Sequence, residues 1–574
     1  MKRGQSVSSL GSEQAGFTLV DILLGGATFA LIISVLVGAV IYGRESGALA
    51  GLRARAAFHA DEGLEAVRNI RDERFSIVTP GFHGLAIVSN QWIFSGSEDI
   101  QSPFRRQIEV ADINANIKRV TSTVAWQQNA ARAATLALST FLTNWRKGVG
   151  GMLTYADFSG NDDVIRYRIL DAEGTWGPDQ TIPDFGVPLD RDTRRIELYA
   201  APTRNEKILI TKHVENGAGD DHYLYAQVWS GSSWGNVMQL ASWAGIDRPD
   251  LRDFDGDYLA NGDFLLVYED NSNTPKYRIW NGTAWSSQGA TLNVGGKPDW
   301  IVVRNRPGTN EAMVAVRDAG EDTNTLYWNG SSWGSLTEHA KNSSGVNFEN
   351  ISFAWSPNNS PYGALTFNEA ADNFPNIRIW NGASWSSNVE NQNIGGVARV
   401  MQLTARPNAA DFLGCFKDSA NDINCLKSDF SPLWTVLLNG ELGVNTDAGV
   451  QRSFDIEYES QTGKFALAVY TEGATATQQA IPKYRTFDAQ VSTWSGEVSL
   501  GSVGATLETV KLVPDPLGND IAVLLGTTNQ GLWSIFWDGA AHSFFTMGGL
   551  VQLQQGGAGS FDEDFWFDFV WDRY

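Results

Sequence analysis

The residues with the clearest chemical potential are the carboxylates of Asp253-Phe-Asp255-Gly-Asp257, with Asp263 downstream in the run DFDGDYLANGD. Acids at alternate positions around a central glycine place several oxygen ligands in one short, sharply turning loop, which is how a chain wraps a calcium ion. A second reading is open, because the run aligns with FDIEYESQTGK at 454–464, where acids alternate along a strand beside a turn. The expectation is therefore either a calcium site at Asp253, Asp255, Asp257 and Asp263 or a strand with outward-facing acids. No other cofactor is implied.

Two cysteines, Cys415 and Cys425, flank the polar, turn-rich KDSANDIN. FLGCF and INCLK should pair as a hairpin with the thiols opposite one another, giving a cross-strand disulfide outside the membrane or two small buried hydrophobes. The six histidines are scattered without metal or nucleophile–base spacing, and no GxSxG, HExxH, P-loop or CxxC occurs. Nothing positive supports an enzyme. Paired carboxylates gathered from separate segments would escape such a search.

A third group is a lone acid, Asp21, inside the apolar run Phe17–Tyr42, which contains no base. As a helix the run is about 39 Å long, longer than the ~30 Å of bilayer hydrocarbon. A carboxylate there costs at least ~2.5–3.5 kcal/mol and needs a partner. The polar leader Met1–Gly16 precedes the run, and Gly16-Phe17 marks its front edge.

These residues resemble the prepilin leader of type IV pilins and type II secretion pseudopilins. The resemblance implies cleavage after Gly16 by a prepilin peptidase and methylation of the new amine on Phe17. It also implies a salt bridge from the fifth mature residue to a neighbouring subunit's amine; that residue is normally glutamate, and here it is Asp21. The alternative is a simple signal anchor.

Beyond Tyr42, Leu49, Leu52, Ala56, Ala60, Leu64, Val67 and Ile70 recur at helical spacing among charged residues. One helix is thus expected over 17–74, membrane-embedded first and docked on a domain second. From Phe75 to Gly150 apolar and polar residues alternate, predicting three to five short antiparallel strands laid on that helix. EGLEAVRNIRDERF followed by HGL, NQW and LTNW is similar to minor pilins, more loosely than the leader.

From Gly151 the chain repeats. VWSGSSW, IWNGTAW, YWNGSSW and IWNGASW end at Trp234, Trp285, Trp333 and Trp385, and degenerate copies end at Trp176, Trp434 and Trp494, with a last one around His542 and Phe544. Asn-Gly supplies the positive φ angles of a tight hairpin, putting each Trp pair on adjacent strands. The spacing of about 48 to 60 residues suits a four-stranded propeller blade. Near-continuous apolar runs such as DFLLVYE, EAMVAVR and DFLGCFK read as central strands. Phe254-Asp255, Phe454-Asp455 and Phe567-Asp568 read as first strands. The last has no successor and the unit at Gly151–Pro183 lacks an opening strand, so the C-terminus should return to close the ring. The Trp words loosely resemble the Asp-boxes of sialidase-like propellers, and DFDGD the calcium loops of FG-GAP-type propellers.

The expected architecture is α+β overall: leader 1–16, helix 17–74, β headpiece 75–150, and an all-β propeller 151–574 of eight blades, or seven if one unit is decorative. The formal charge of −22 argues against a nucleic-acid partner. The expected role is a minor, tip subunit of a type IV pilus-like filament. Its partners would be prepilin peptidase, other pilins, the membrane during assembly, and an extracellular glycan or protein ligand. It would start in the cytoplasmic membrane, N-terminus inward, and end on the cell surface. The alternatives are a membrane-tethered glycan-active enzyme and a secretion pseudopilin.

Overall fold

In the computed structural model the apolar run becomes the first half of one 55-residue helix, Leu19–Glu73. The structure describes residues 18–573 except 74, 89–90, 115–116, 130–131, 144–148, 158–163, 185–190, 216–220, 245–250, 344–347, 358–360, 370–371, 430–431, 437–440, 447–451, 546–548 and 557–564. The chain divides into two units, Met1–Lys147 and Gly148–Tyr574.

In the first unit every helical residue from Leu19 to Ala48 is exposed. The helix is long and apolar enough to cross a membrane. Further on, Ala56, Ala60, Leu64, Val67 and Ile70 are buried. They lie on a sheet ordered Gly81–His83, Phe104–Asn114, Ile117–Asn129, Arg132–Thr143, with Asp99–Gln101 also paired to Phe104–Asn114. Three of these strands have 11 to 13 residues, longer than the short strands expected, because their alternation runs unbroken. A Cβ on Gly63 would lie 2.5 Å from Ser122 Oγ, so the bare glycine sets the helix–sheet distance. Arg106, only 3% exposed, locks the two layers: its Nη1 donates to Glu62 Oε2 at 2.8 Å and to the His59 carbonyl at 3.0 Å, and its Nη2 to Asp99 Oδ2 at 3.0 Å.

The second unit holds, among the described residues, eight antiparallel sheets. Seven follow chain order, starting with strands Arg191–Ala200, Phe254–Tyr258, Pro298–Asn305, Ile351–Trp355, Ala398–Ala405, Phe454–Tyr458 and Leu507–Pro514. In the other sheet Phe567–Trp571 pairs with Gly151–Asp157, so the chain's last strand supplies the first strand of its first sheet. Each first strand contacts that of the next sheet, and Phe567–Trp571 contacts both Leu507–Pro514 and Arg191–Ala200. The first strands therefore form a ring from which the sheets radiate, the arrangement of a β-propeller. The second strands are buried along nearly their whole length, as at Phe264–Tyr268 and Ala312–Asp318. Between these sheets Leu265 and Val267 pack with Ile301, Val303 and Val314.

The tryptophan words form the outer hairpins. Trp229 faces Trp234 and Trp328 faces Trp333 in register, and bridges join Trp280 to Trp285 and Trp380 to Trp385. The turn differs from the tight hairpin expected: within IWNGTAW only Gly282 has positive φ, at 90°. Asn281 instead caps a four-residue loop, its Oδ1 accepting the Thr283 and Ala284 N–H groups, both at 2.9 Å. This Asx geometry lets asparagine stand in for a backbone acceptor.

Candidate functional site

The first strands alternate between a short kind with five residues and a long kind with eight or ten. Each short strand holds the next long strand by the same two contacts. The Ile301, Met401, Val510 and Ile196 N–H groups donate to the carbonyls of Arg252, Glu349, Arg452 and Phe565 at 2.7 to 3.0 Å. Two residues on, the Val303, Leu403, Leu512 and Leu198 N–H groups donate to the side chains of Asp255, Ser352, Asp455 and Asp568 at 2.7 to 3.1 Å. The ring is thus four two-sheet modules.

Charged groups from several first strands meet around this ring. Arg195 Nε donates to Glu197 Oε1 at 2.9 Å. Arg252 lies 3.6 Å from Glu197, 3.0 Å from Asp255 and 3.2 Å from Glu349. Lys511 pairs with Asp568. Burial works against the Glu197 carboxylate, yet Arg252, Arg195 and Lys511 hold it down at about 2. Burial pushes Asp568 up to about 6, with Lys511 opposing. Glu457, which accepts the Thr404 hydroxyl at 2.8 Å, is pushed to about 8 by loss of water and by the charge of Asp455. Sequence reasoning missed Arg195, Glu197, Arg252, Glu349 and Lys511. The only available signal was arginine and glutamate embedded in runs that otherwise read as strands, as in TRRIELYA.

The residues singled out from sequence lie apart. Gly16 and Phe17 fall outside the described residues. Asp21 sits in the helix's first turn, where its Oδ2 accepts the Thr18 N–H at 3.0 Å and the Thr18 hydroxyl at 2.7 Å, a local cap. Cys415 and Cys425 are register partners joined by a disulfide. The four acids of the calcium reading do not gather. Asp253 pairs with Lys212 Nζ at 2.5 Å. Asp255 is spent on Val303, Tyr199, Arg252 and Arg304. Asp257 accepts the Asn305 N–H at 2.9 Å, and Asp263 accepts from Asn261 Nδ2 at 2.7 Å. Among the described residues no three His, Cys, Asp or Glu side chains cluster as metal ligands. The strand reading of DFDGD fits this geometry, with its acids turned to the neighbouring sheet rather than outward.

The Trp pairs fill space between sheets. Pair centroids are 5.1 to 5.6 Å apart, and three of the four second rings meet the preceding sheet edge-on: Trp234 on Tyr167, Trp333 on Tyr277, Trp385 on His339. His339 itself is neutral, lowered to about 3 by burial and by Arg378, whose Nη1 donates to its Nδ1 at 3.0 Å.

No family model matches the sequence and no curated protein matches it. Among solved structures, the BP39L lectin from Burkholderia pseudomallei is similar at 10% identity and a TM-score of 0.43, over 63% of this chain and 100% of that one. The Aleuria aurantia lectin in complex with Fucalpha1-6GlcNAc is similar at 12% identity and a TM-score of 0.32, over 54% and 97%. The periplasmic gluconolactonase of Pseudomonas aeruginosa is similar at 12% identity and a TM-score of 0.37, over 62% and 98%.

Proposed function

We propose that this chain is a minor, tip subunit of a type IV pilus-like filament that displays an eight-bladed propeller to bind a glycan or protein on another surface. In this reading 1–16 is a leader removed after Gly16, 17–74 the assembly helix, 75–150 the pilin headpiece and 151–574 the displayed domain. The observation that carries it is the division of the helix at its middle: Leu19–Ala48 wholly exposed, Ala56–Ile70 docked on its own sheet. A continuous exposed apolar rod needs lipid before assembly and neighbouring helices after it. A ring of more than 400 residues on such a rod would obstruct packing along a shaft, which favours the tip. Prepilin peptidase and other pilins are the partners of this pathway, and calcium is not needed for it.

Mass spectrometry of the protein from cells is the test. The expected mature chain starts at a methylated Phe17 and co-purifies with filaments; an intact leader on a solitary membrane-bound monomer would refute the filament reading.

A membrane-tethered glycan-active enzyme is the second reading. It draws on the ionisable groups converging on the ring, but most are neutralised by one another. Turnover of labelled glycans by the full chain would support it.

A further inference from the structure

We propose that Asn281 and Asn329, at the tips of two outer hairpins, are acceptor sites for an N-linked sugar, each joined through Nδ2 to the C1 carbon of a glycosyl diphosphate. The proposal rests on the surface-display reading above and adds a modification to the displayed domain. An asparagine followed two residues later by serine or threonine is the acceptor pattern for such transfer. Two of the tryptophan words carry it, Asn281-Gly-Thr283 and Asn329-Gly-Ser331, on adjacent sheets. All four polar residues are exposed.

The hydroxyl in these triplets is not required by the turn. In the third word, Asn381-Gly-Ala383, Asn381 Oδ1 accepts the Ala383 and Ser384 N–H groups at 3.0 and 2.9 Å with no hydroxyl at that place. Where the hydroxyl is present it engages the asparagine: Thr283 Oγ1 donates to Asn281 Oδ1 at 2.8 Å, and Ser331 Oγ to Asn329 Oδ1 at 3.0 Å. An amide nitrogen is a poor nucleophile because its lone pair is shared with the oxygen. Donors on Oδ1 stabilise the charge that collects there as Nδ2 gives up a proton, and that proton is the one the transfer must remove. Among the described residues the hydrogen bonds of the Asn281 side chain all fall on Oδ1, whereas Asn329 Nδ2 donates to Ser332 Oγ at 3.0 Å. Asn281 is thus the readier acceptor. The same pattern at Asn350-Ile-Ser352 is closed to modification, because both polar side chains are buried.

In the transfer the Nδ2–C1 bond forms and the bond from C1 to the diphosphate oxygen breaks. The diphosphate leaves with the electron pair, and the amide proton passes to a base of the transferase. The diphosphate is carried on a polyprenyl lipid outside the cytoplasm or on a nucleoside inside it. The Cys415–Cys425 disulfide tells these sources apart, since such bonds form after export.

The test is peptide mass spectrometry of the full chain purified from the cells that make it, with free thiols alkylated at lysis. Sugar is expected on Asn281 at higher occupancy than on Asn329, and none on Asn381. Thr283→Ala should abolish it at Asn281 and keep the fold, as the Ala383 word keeps its turn; Ala383→Thr should add it at Asn381. Sugar confined to disulfide-bonded molecules identifies the lipid-linked source, and sugar also on alkylated molecules the nucleoside-linked one; both support the sites. Bare Asn281 and Asn329 in a mature chain that begins at Phe17 overturn the sites and leave the display reading standing. Sugar on the hydroxyl oxygen of Thr283 or Ser331 overturns the asparagine assignment. An intact leader together with bare asparagines overturns both.

Discussion

Asp568 accepts the Leu198 N–H at 2.7 Å across 370 residues of sequence. The same contact joins Asp255 to Val303, Ser352 to Leu403 and Asp455 to Leu512, each about fifty residues apart. The joint between the C-terminal strand and the following sheet is therefore one of four equivalent joints, completing a pattern already set three times. Closing a sheet ring this way also covers edges that would otherwise be open to pairing with other chains.

Removing the carboxylate at this joint should loosen the ring there first. Asp568→Ala leaves the Leu198 N–H and the Lys511 ammonium without their acceptor, at a cost of about 1.5–3 kcal/mol. Ser352→Ala breaks a neutral version of the joint and should cost about 0.5–1.5 kcal/mol. Denaturant unfolding gives both values, and limited proteolysis should cut Asp568→Ala near its C-terminus first. Equal effects in the two variants would show that the joints are not ranked by charge.

The helix–sheet contact in the first unit depends on an absent side chain. Gly63→Ala would place a methyl group 2.5 Å from Ser122 Oγ and 2.9 Å from Arg106 Cδ. Overpacking of this kind costs about 1–3 kcal/mol, despite alanine's better helix propensity. Thermal unfolding should show the first transition lowered in Gly63→Ala and restored in part by Ser122→Gly in the same chain. A stabilised Gly63→Ala variant would mean that the helix is free to shift.

The disulfide closes a hairpin with a sequence separation of 10 between Cys415 and Cys425. Chain-entropy reasoning gives about 2–3 kcal/mol for a loop of this length. Cys415 is wholly buried against the next sheet, in a cluster with Phe454 and Ile456. Replacing both cysteines with alanine should lower stability by about that amount and keep the fold, as read by near-ultraviolet circular dichroism and urea unfolding. A loss of the folded state would make the bridge a condition of folding.

What the sequence disclosed follows how local each signal is. Trp280 and Trp285 announce a hairpin because both strands and the turn lie within one short word. Cys415 and Cys425 disclose their register for the same reason. Phe567-Asp568 revealed a first strand by likeness to Phe254-Asp255, since their joints are equivalent. Arg191–Ala200 stayed hidden: it carries no repeated word, and Arg195 and Glu197 are buried as an ion pair whose glutamate Arg252 and Lys511 reach from other sheets. The DFDGD acids left two readings open because spacing shows that carboxylates share a strand face and not which donors that face meets.

The ring also predicts an unusual pH response. Glu457 is held near 8 in the folded chain against an ordinary value of 4.5, so the folded state keeps a proton that the unfolded state has released. Stability contributed by this group is greatest below about pH 4.5 and is lost as pH rises toward 8. Asp568, raised to about 6, acts in the same direction over a lower window. Glu197, lowered to about 2, acts oppositely, and its contribution disappears only in strong acid. Between about pH 5 and 8 the first two effects dominate this network. Glu457→Gln cannot ionise and still accepts the Thr404 hydroxyl, so it should flatten the decline in that range. Urea midpoints at about pH 5, 6.5 and 8 provide the measurement: the variant should be close to wild type at the lowest pH and more stable at the highest. Parallel curves for the two proteins would show that Glu457 is already ionised in the folded ring.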